Sequence, residues 1–226
     1  MLTNEVEKVS GLKLIADSIA QQRQLASRAV LFHPIILSAY IGLLAITTQL
    51  LYKTRGDLGV LLTTVAGVSM AWLVGVRSVT AGYITLAEDV SWNFVRNEDG
   101  GDDIIIGSRY GEDVIGALIL RLERNCQSPS KRKAKSKTGG KGVVRAWTTK
   151  MRYRGTGIGT DLLQEAVRVT REKLGNSAEI GFAAEHANSK MILPEMFNHG
   201  FRKREMKAAK ALKTIVEGDL GGKRKR

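Results

Sequence analysis

The chain has 226 residues, of which 43% are hydrophobic and 25% are charged, and this composition excludes a disordered tail and a collagen-like chain. The formal net charge of +13 favours anionic partners, such as nucleic acid, phosphate-bearing cofactors or an acidic lipid surface. Cys126 is the only cysteine, so an intrachain disulfide is excluded.

Residues 1–28 predict an amphipathic helix. Apolar side chains recur at spacings of three and four, which puts them on one helix face. We expect this helix to pack on the later domain, and the alternative is that it lies on a membrane surface. The apolar stripe consists of Val6, Val9, Leu12, Ile15 and Ile19.

Two uncharged runs follow, Ala29–Tyr52 and Leu58–Val76, with the connector KTRGD between them. A helix of about 20 apolar residues crosses the hydrocarbon core of a bilayer. We therefore expect a transmembrane helical hairpin within residues 29–83, with spans near 30–52 and 58–76. The alternative is a pair of buried core helices in a soluble protein.

Residues 84–226 predict a mixed α/β domain. Two β-branched segments flank a glycine-containing turn, which is typical of a β-hairpin. Further apolar segments follow and predict two more strands. The predicted strands are 103–108, 114–123, 143–149 and 178–184, with candidate short strands near Phe201 and in the run LKTIVEG.

Two helices are predicted in the same domain. Ile158, Leu162, Ala166 and Val169 mark one face of the first helix, and Gly175 is suited to end it. Segment 188–200 predicts a second, short helix that Pro194 kinks or restarts.

Two basic segments are predicted to stay outside the folded core. The insert 125–142 and the tail 221–226 are rich in Lys, Arg, Ser and Gly, which cannot bury apolar surface. Acidic lipid headgroups and nucleic acid are both possible partners of such a run, and a solvated loop without a partner is the third interpretation. The two membrane spans argue against nucleic acid.

The stretch RYRGTGIGTDLL, Arg152–Leu163, predicts a phosphate site. It places glycines between a strand and the start of a helix, where backbone N–H groups point outward and the helix dipole is positive. Glycine lets an oxygen-rich ligand approach the backbone closely, and arginine adds charge-assisted contacts. The spacing fits neither a P-loop nor the dinucleotide fingerprint.

The pattern Arg152-x-x-Gly155-x-Gly157 resembles the acyl-CoA signature of the GNAT superfamily of N-acetyltransferases. The surrounding order of hairpin, strand, helix, strand and a helix ending in Gly200–Phe201 resembles that family as well. The hairpin near the N-terminus is similar to that of its membrane-anchored eukaryotic subgroup. The expected fold is then α/β (α+β): a mixed, mostly antiparallel sheet flanked by helices, with a two-helix transmembrane hairpin inserted near the N-terminus.

This resemblance implies that acetyl-CoA is the co-substrate and that it lies between the third and fourth strands. It implies no metal. The residues expected to bind acetyl-CoA are Thr148, Thr149, Arg152, Arg154, Gly155, Thr156, Gly157, Ile158, Gly159, Thr160 and Asn188.

The catalytic groups are less well defined by the resemblance. Family members often have a tyrosine four residues before the Gly-Phe pair, and this chain has Met196 there. Glu185 is the expected general base, with its neighbour His186 as the alternative and Tyr110 as a weaker candidate on the acceptor side.

The expected function is transfer of an acetyl group from acetyl-CoA to an amine of a small molecule or protein, by an integral membrane protein of the endoplasmic reticulum or another endomembrane. Lys8, Lys13, Arg23 and Arg28 precede the hairpin and Arg77 follows it, so the acetyltransferase domain is expected in the cytosol. The alternatives are a non-catalytic membrane adaptor that keeps the fold, and a basic binding protein in which the glycine turn is incidental.

Overall fold

The computed structural model describes residues 1–2, 4–52, 58–96, 101–124, 139–184 and 186–223. The chain divides into two compact units. The sheet unit comprises Met1–Ile19, Leu86–Lys190 and Phe201–Arg226, and the helical-hairpin unit comprises Ala20–Thr85 and Met191–Gly200.

Four strands form one sheet in the order β1-β2-β3-β4: β1 (Ile104–Tyr110), β2 (Asp113–Arg124), β3 (Gly140–Thr149) and β4 (Glu179–Phe182). β1 pairs antiparallel with β2, and β2 pairs antiparallel with β3, whereas β3 and β4 are parallel. The prediction of a mixed, mostly antiparallel sheet is therefore confirmed.

The register of β2 with β3 slips by one residue between Ile119 and Leu120, which leaves Arg145 as an extra residue in β3. Such a β-bulge bends a strand and redirects its peptide groups. Guanidinium contacts hold the bulge, because Arg145 donates to the buried carboxylate of Asp103 at 2.6 Å and lies 4.2 Å from the centre of the Phe94 ring.

The helix α6 (Ile158–Leu174) covers one face of the sheet. Leu162, Ala166 and Val169 are buried, as the predicted helix face requires, and Ile158 packs at the edge of the same core. Each large buried side chain stabilises the fold by about 1.5–3 kcal/mol. Gly175 ends the helix with a φ of +97°, and its N–H donates to Arg171 O at 2.9 Å, so the predicted C-cap is confirmed.

The helix α1 (Glu5–Leu31) begins in the sheet unit, where it packs on the sheet. A Cβ added at Gly11 would lie 3.6 Å from Ala117 and from Ile105, and Glu7 forms an ion pair with Arg109. The predicted stripe is buried only in its second half, since Leu12, Ile15 and Ile19 are buried whereas Val6 and Val9 are exposed.

Two predictions about the C-terminal part are wrong. The helix α7 (His199–Lys223) contains both Phe201 and the run LKTIVEG, which were expected to form short strands. Short apolar runs fit either structure, and here Leu212 packs as a helical residue against the α6 core. Segment 188–200 does not form the predicted short helix: residues 188–198 contain turns and a short 3-10 helix, Glu195–Phe197, and α7 begins at His199.

The basic insert is shorter than predicted, because Gly140–Gly142 belong to β3. The absence of side chains at Gly140 and Gly142 allows Leu174 and Thr170 of α6 to pack directly on the strand. Residues 125–138 of the insert and 224–226 of the tail lie outside the described residues.

The helical-hairpin unit contains α2 (Pro34–Leu51) and α3 (Leu58–Val79), and α4 (Gly82–Glu88) begins within it. The short α5 (Trp92–Val95) follows in the sheet unit. Two helical stretches, Pro34–Leu51 and Leu58–Glu88, are long and apolar enough to cross a membrane. In each of them, the most apolar segment contains no buried residue. Tyr40 of α2 and Ser69 of α3 join the pair through a hydroxyl hydrogen bond of 2.7 Å.

Replacing Gly142 by alanine tests the contact between β3 and α6. The added Cβ would lie 2.4 Å from Oγ1 of the buried Thr170, so we expect Gly142→Ala to lower the free energy of unfolding by about 1–3 kcal/mol, as overpacking does. Gly181→Ala is the matched control in the neighbouring strand, since its nearest atom is 4.0 Å away. Equal stability of the two variants in urea unfolding followed by circular dichroism would contradict this packing.

Candidate functional site

β3 and β4 separate halfway along β3. Their pairing ends where Val144 meets Phe182, whereas β3 continues to Thr149. The chain after β4 stays near the bulge at first, because Ala183 N–H donates to Val144 O at 2.9 Å and Ala187 N–H donates to Arg145 O at 2.8 Å. Beyond this point no strand pairs with the last residues of β3 on the β4 side, and we call the space beside this unpaired edge the gap. It is the first element of the candidate site.

The peptide groups of Trp147 and Thr149 face this gap. Lys150 N–H donates to Ile115 O of β2 at 2.8 Å, and hydrogen bonding alternates along an antiparallel strand. The backbone N–H and C=O groups of Ala146 and Thr148 therefore face β2, and those of Trp147 and Thr149 face away from it. Thr148 is buried and its N–H and C=O face β2, whereas those of Trp147 face the gap.

The glycine turn follows the end of β3 after one 3-10 turn, Met151–Tyr153. Gly155 and Gly157 have φ values of +88° and +96°, a backbone conformation that a side chain strains. A Cβ at either position would meet nothing within 4 Å, so the surface above the turn is open. Gly157 is the N-cap of α6 and no side chain caps the helix, which leaves the first N–H groups directed at that open surface.

Positive charge surrounds the turn. Arg152 and Arg154 are exposed, and Arg154 Nε donates to Thr149 O at 3.2 Å, which ties its side chain to the end of β3. Arg154 is exposed as a whole, but its guanidinium is partly buried, and this partial burial lowers its pKa; the positive charge of Arg204 on α7 lowers the pKa further. An anion bound beside Arg154 would offset this unfavourable charge.

Trp147 fixes the turn against the sheet. Its indole Nε1 donates to Gly159 O at 3.0 Å, and a Cβ at Gly159 would lie 2.9 Å from the indole ring. The glycine at this position therefore permits close packing, and Trp147 locks the first turn of α6 to the strand that borders the gap. The Phe182 ring lies 6.0 Å from that of Trp147 and continues the apolar wall.

Asn188 closes one end of the gap. Its Nδ2 donates to Trp147 O at 3.1 Å, and its Oδ1 accepts from Ser18 of α1 at 3.4 Å. The sequence predicted Asn188 as a binding residue. It gave no signal for Ser18, which lies 170 positions away and is buried.

The structure describes two of the candidate catalytic residues, His186 and Tyr110, and they lie beside different strands. His186 is 8% exposed, the centre of its ring lies 5.4 Å from that of the Phe182 ring, and it lines a cavity of about 520 Å³ between β4 and α7. Tyr110 is exposed in the β1–β2 hairpin with its ring 6.2 Å from Tyr153. Met196 is half-exposed in the helical-hairpin unit, and Glu185 lies outside the described residues.

The other predicted binding residues lie in or beside the turn. Thr156 Oγ1 donates to Tyr153 O at 2.7 Å, so this hydroxyl stabilises the turn itself. Ile158 packs against the core, and Thr160 N–H donates to Gly157 O at 2.7 Å as the helix starts. The structure thus brings together, within one strand–turn–helix segment, Thr149, Arg152, Arg154, Gly155, Thr156, Gly157, Ile158, Gly159 and Thr160.

Residues 77–193 match the model of the acetyltransferase (GNAT) family, and this segment covers the whole sheet, the glycine turn and α6. A comparison with curated proteins finds no match.

The environment of His186 predicts a pH-dependent stability. Burial lowers the pKa of this imidazole below its usual 6.5, and Glu205 and the Ala183 backbone offset the shift only in part. Between the lowered and the usual pKa the unfolded chain binds a proton that the folded chain does not, so the free energy of unfolding should fall as the pH decreases from about 7 to about 5.

The measurement is urea unfolding across this pH range. We expect His186→Gln to remove part of the slope and the control His199→Gln, at an exposed position, to keep it. An unchanged slope in His186→Gln would contradict this description of the imidazole.

Proposed function

The chain belongs to the GNAT family of acetyltransferases, and from this premise we propose that it is an acetyl-CoA-dependent N-acetyltransferase anchored in a membrane. The observation that carries the proposal is the gap beside β3, which opens directly onto the glycine turn. A ligand that carries a thiol-linked arm and a diphosphate fits both features, with the arm in the gap and the diphosphate at the glycine turn.

The residues of the site fit coenzyme A. The open surface above Gly155 and Gly157 and the uncapped start of α6 suit a diphosphate, and the guanidinium groups of Arg152 and Arg154 complement its charge. The peptide groups of Trp147 and Thr149 are suited to hydrogen-bond an amide-containing arm in the gap. Asn188 is suited to hydrogen-bond the same arm if it gives up its present hydrogen bond to Trp147 O.

Acetyl-CoA supplies an activated thioester carbonyl. A neutral amine attacks the carbonyl carbon, the carbon–sulfur bond breaks, and the thiolate leaves with its electron pair. The chain mainly aligns the two reactants, which is a large part of the rate gain in such reactions. We assign removal of the amine proton to Glu185, directly or through water. His186 is a poorer base because its ring is buried against Phe182.

Membrane anchoring is supported by α2 and α3. Their apolar residues are exposed, and exposed apolar helices of this length are costly in water and stable in lipid. Because Arg28 and Arg77 flank the hairpin, we propose that the acetyltransferase domain faces the cytosol, at the endoplasmic reticulum or another endomembrane.

The second candidate function is a non-catalytic membrane adaptor that binds acetyl-CoA without turnover. Met196 favours it, since this side chain stands at the sequence position of the family's usual tyrosine and cannot donate a proton to a leaving thiolate. A thiolate is a fair leaving group without such a donor, so we prefer the enzyme.

Acetyl-CoA binding is tested by calorimetry on the detergent-solubilised full chain. We expect Gly157→Glu to weaken binding on the order of a hundredfold, because it places a carboxylate where phosphate binds and charge-assisted contacts contribute about 1.5–3 kcal/mol. Gly175→Glu is the matched control: Gly175 also has positive φ but lies at the opposite end of α6. Equal affinities of the two variants would contradict the assignment of the turn.

Catalysis is tested by release of free coenzyme A with a panel of peptides, polyamines and amino acids. At least one amine should stimulate release, and Glu185→Gln should lower kcat on the order of a hundredfold without changing acetyl-CoA affinity, as expected for a general base. Glu179→Gln, at an exposed position in β4, is the control. Binding of acetyl-CoA without release by any amine would favour the adaptor.

A further inference from the structure

Three arginines line one cavity in the helical-hairpin unit. The cavity has a volume of about 420 Å³, and its walls are formed by Arg23, Gln24, Ser27, Arg28 and Arg77, which we call the arginine pocket. The first four residues belong to the last turns of α1, and Arg77 belongs to the last turn of α3. None of them takes part in the acetyl-CoA site proposed above.

Two hydrogen bonds hold these helix ends together. Arg23 donates to the backbone oxygen of Arg77 at 3.3 Å, and the hydroxyl groups of Ser27 and Thr80 lie 3.1 Å apart. Thr80 is fully buried, so the second contact is shielded from water. Both contacts join residues within the unit, and the pocket between them is therefore built by the fold.

The pocket lacks negative charge. In residues 20–52, 58–85 and 191–200 the only carboxylate is that of Glu195, which does not line the pocket. Within the described part of the chain, no carboxylate pairs with Arg28 or Arg77. Guanidinium groups gathered without a counter-charge favour an anion, and their fork geometry matches phosphate oxygens.

The pocket lies where the chain enters and leaves the apolar hairpin. Arg28 is the last charged residue before the first uncharged run, and Arg77 is the first charged residue after the second. In a spanning hairpin these two positions coincide with the level of the lipid headgroups, because the uncharged runs match the roughly 30 Å thickness of the hydrocarbon core.

We propose that the arginine pocket binds the phosphate of an anionic phospholipid headgroup. Gln24 and Ser27 add neutral hydrogen-bonding groups for the rest of the headgroup. A zwitterionic lipid such as phosphatidylcholine fits less well, because its ammonium group meets only positive charge. The inference rests on the membrane anchoring proposed above, and it adds a lipid specificity that anchoring alone does not require.

The test uses the full chain, purified in detergent and titrated with short-chain phosphatidic acid. We expect the double variant Arg28→Gln, Arg77→Gln to bind this lipid roughly thirtyfold more weakly, because each arginine near an anionic surface contributes about a factor of five. The matched control is Lys8→Gln, Lys13→Gln, which removes the same charge from the same helix outside the pocket and should leave the affinity unchanged.

Two further arms separate the possible failures. Inorganic phosphate tests a free anion, and an affinity for it equal to that for phosphatidic acid would overturn the lipid as the occupant. Equal lipid affinity in the double variant and the control would overturn the pocket itself. Carbonate washing of membranes that contain the chain tests the anchoring independently. Release of the chain into the supernatant would contradict the anchoring. If the chain stays in the membrane, a loss of lipid binding by the double variant is then evidence about the arginine pocket alone.

Discussion

The separation of β3 from β4 is the feature on which the candidate site depends. The bulge at Arg145 and the end of β4 at Phe182 leave the last residues of β3 paired with β2 on one side and without a strand on the other. Peptide groups in this position need another hydrogen-bonding partner. Side chains supply part of this pairing, since Asn188 donates to Trp147 O and Arg154 donates to Thr149 O. A ligand with its own amide groups can supply that pairing, and the glycine turn at the end of the strand receives the charged part of the same molecule.

Much of this site is readable from the sequence because its signals are local. The strand, the glycines and the apolar face of α6 lie within about 35 consecutive residues, and each has a turn, cap or periodicity of its own. The contacts of Trp147 with Asn188, and of Asn188 with Ser18, are not readable, since they join residues distant in sequence. The run LKTIVEG is helical, contrary to the prediction of a short strand, because packing against α6, and not local propensity, decides its structure.

Excess positive charge acts at two separate places in this account. At the glycine turn, Arg152 and Arg154 supplement backbone N–H groups that already favour an anion. In the arginine pocket the side chains act alone, at the boundary of the apolar hairpin. If both proposals hold, part of the net charge of +13 serves to bind two phosphates, one on a cofactor and one on a lipid.

Hydrogen–deuterium exchange with two related ligands tests the central claim most directly. Coenzyme A carries the diphosphate, whereas pantetheine has the same arm without it. The account predicts that coenzyme A slows amide exchange both at Trp147–Thr149 and at Thr156–Thr160, and that pantetheine slows it only at Trp147–Thr149. Equal protection of the glycine turn by both ligands, or no protection there by coenzyme A, would contradict the claim that this turn binds the diphosphate.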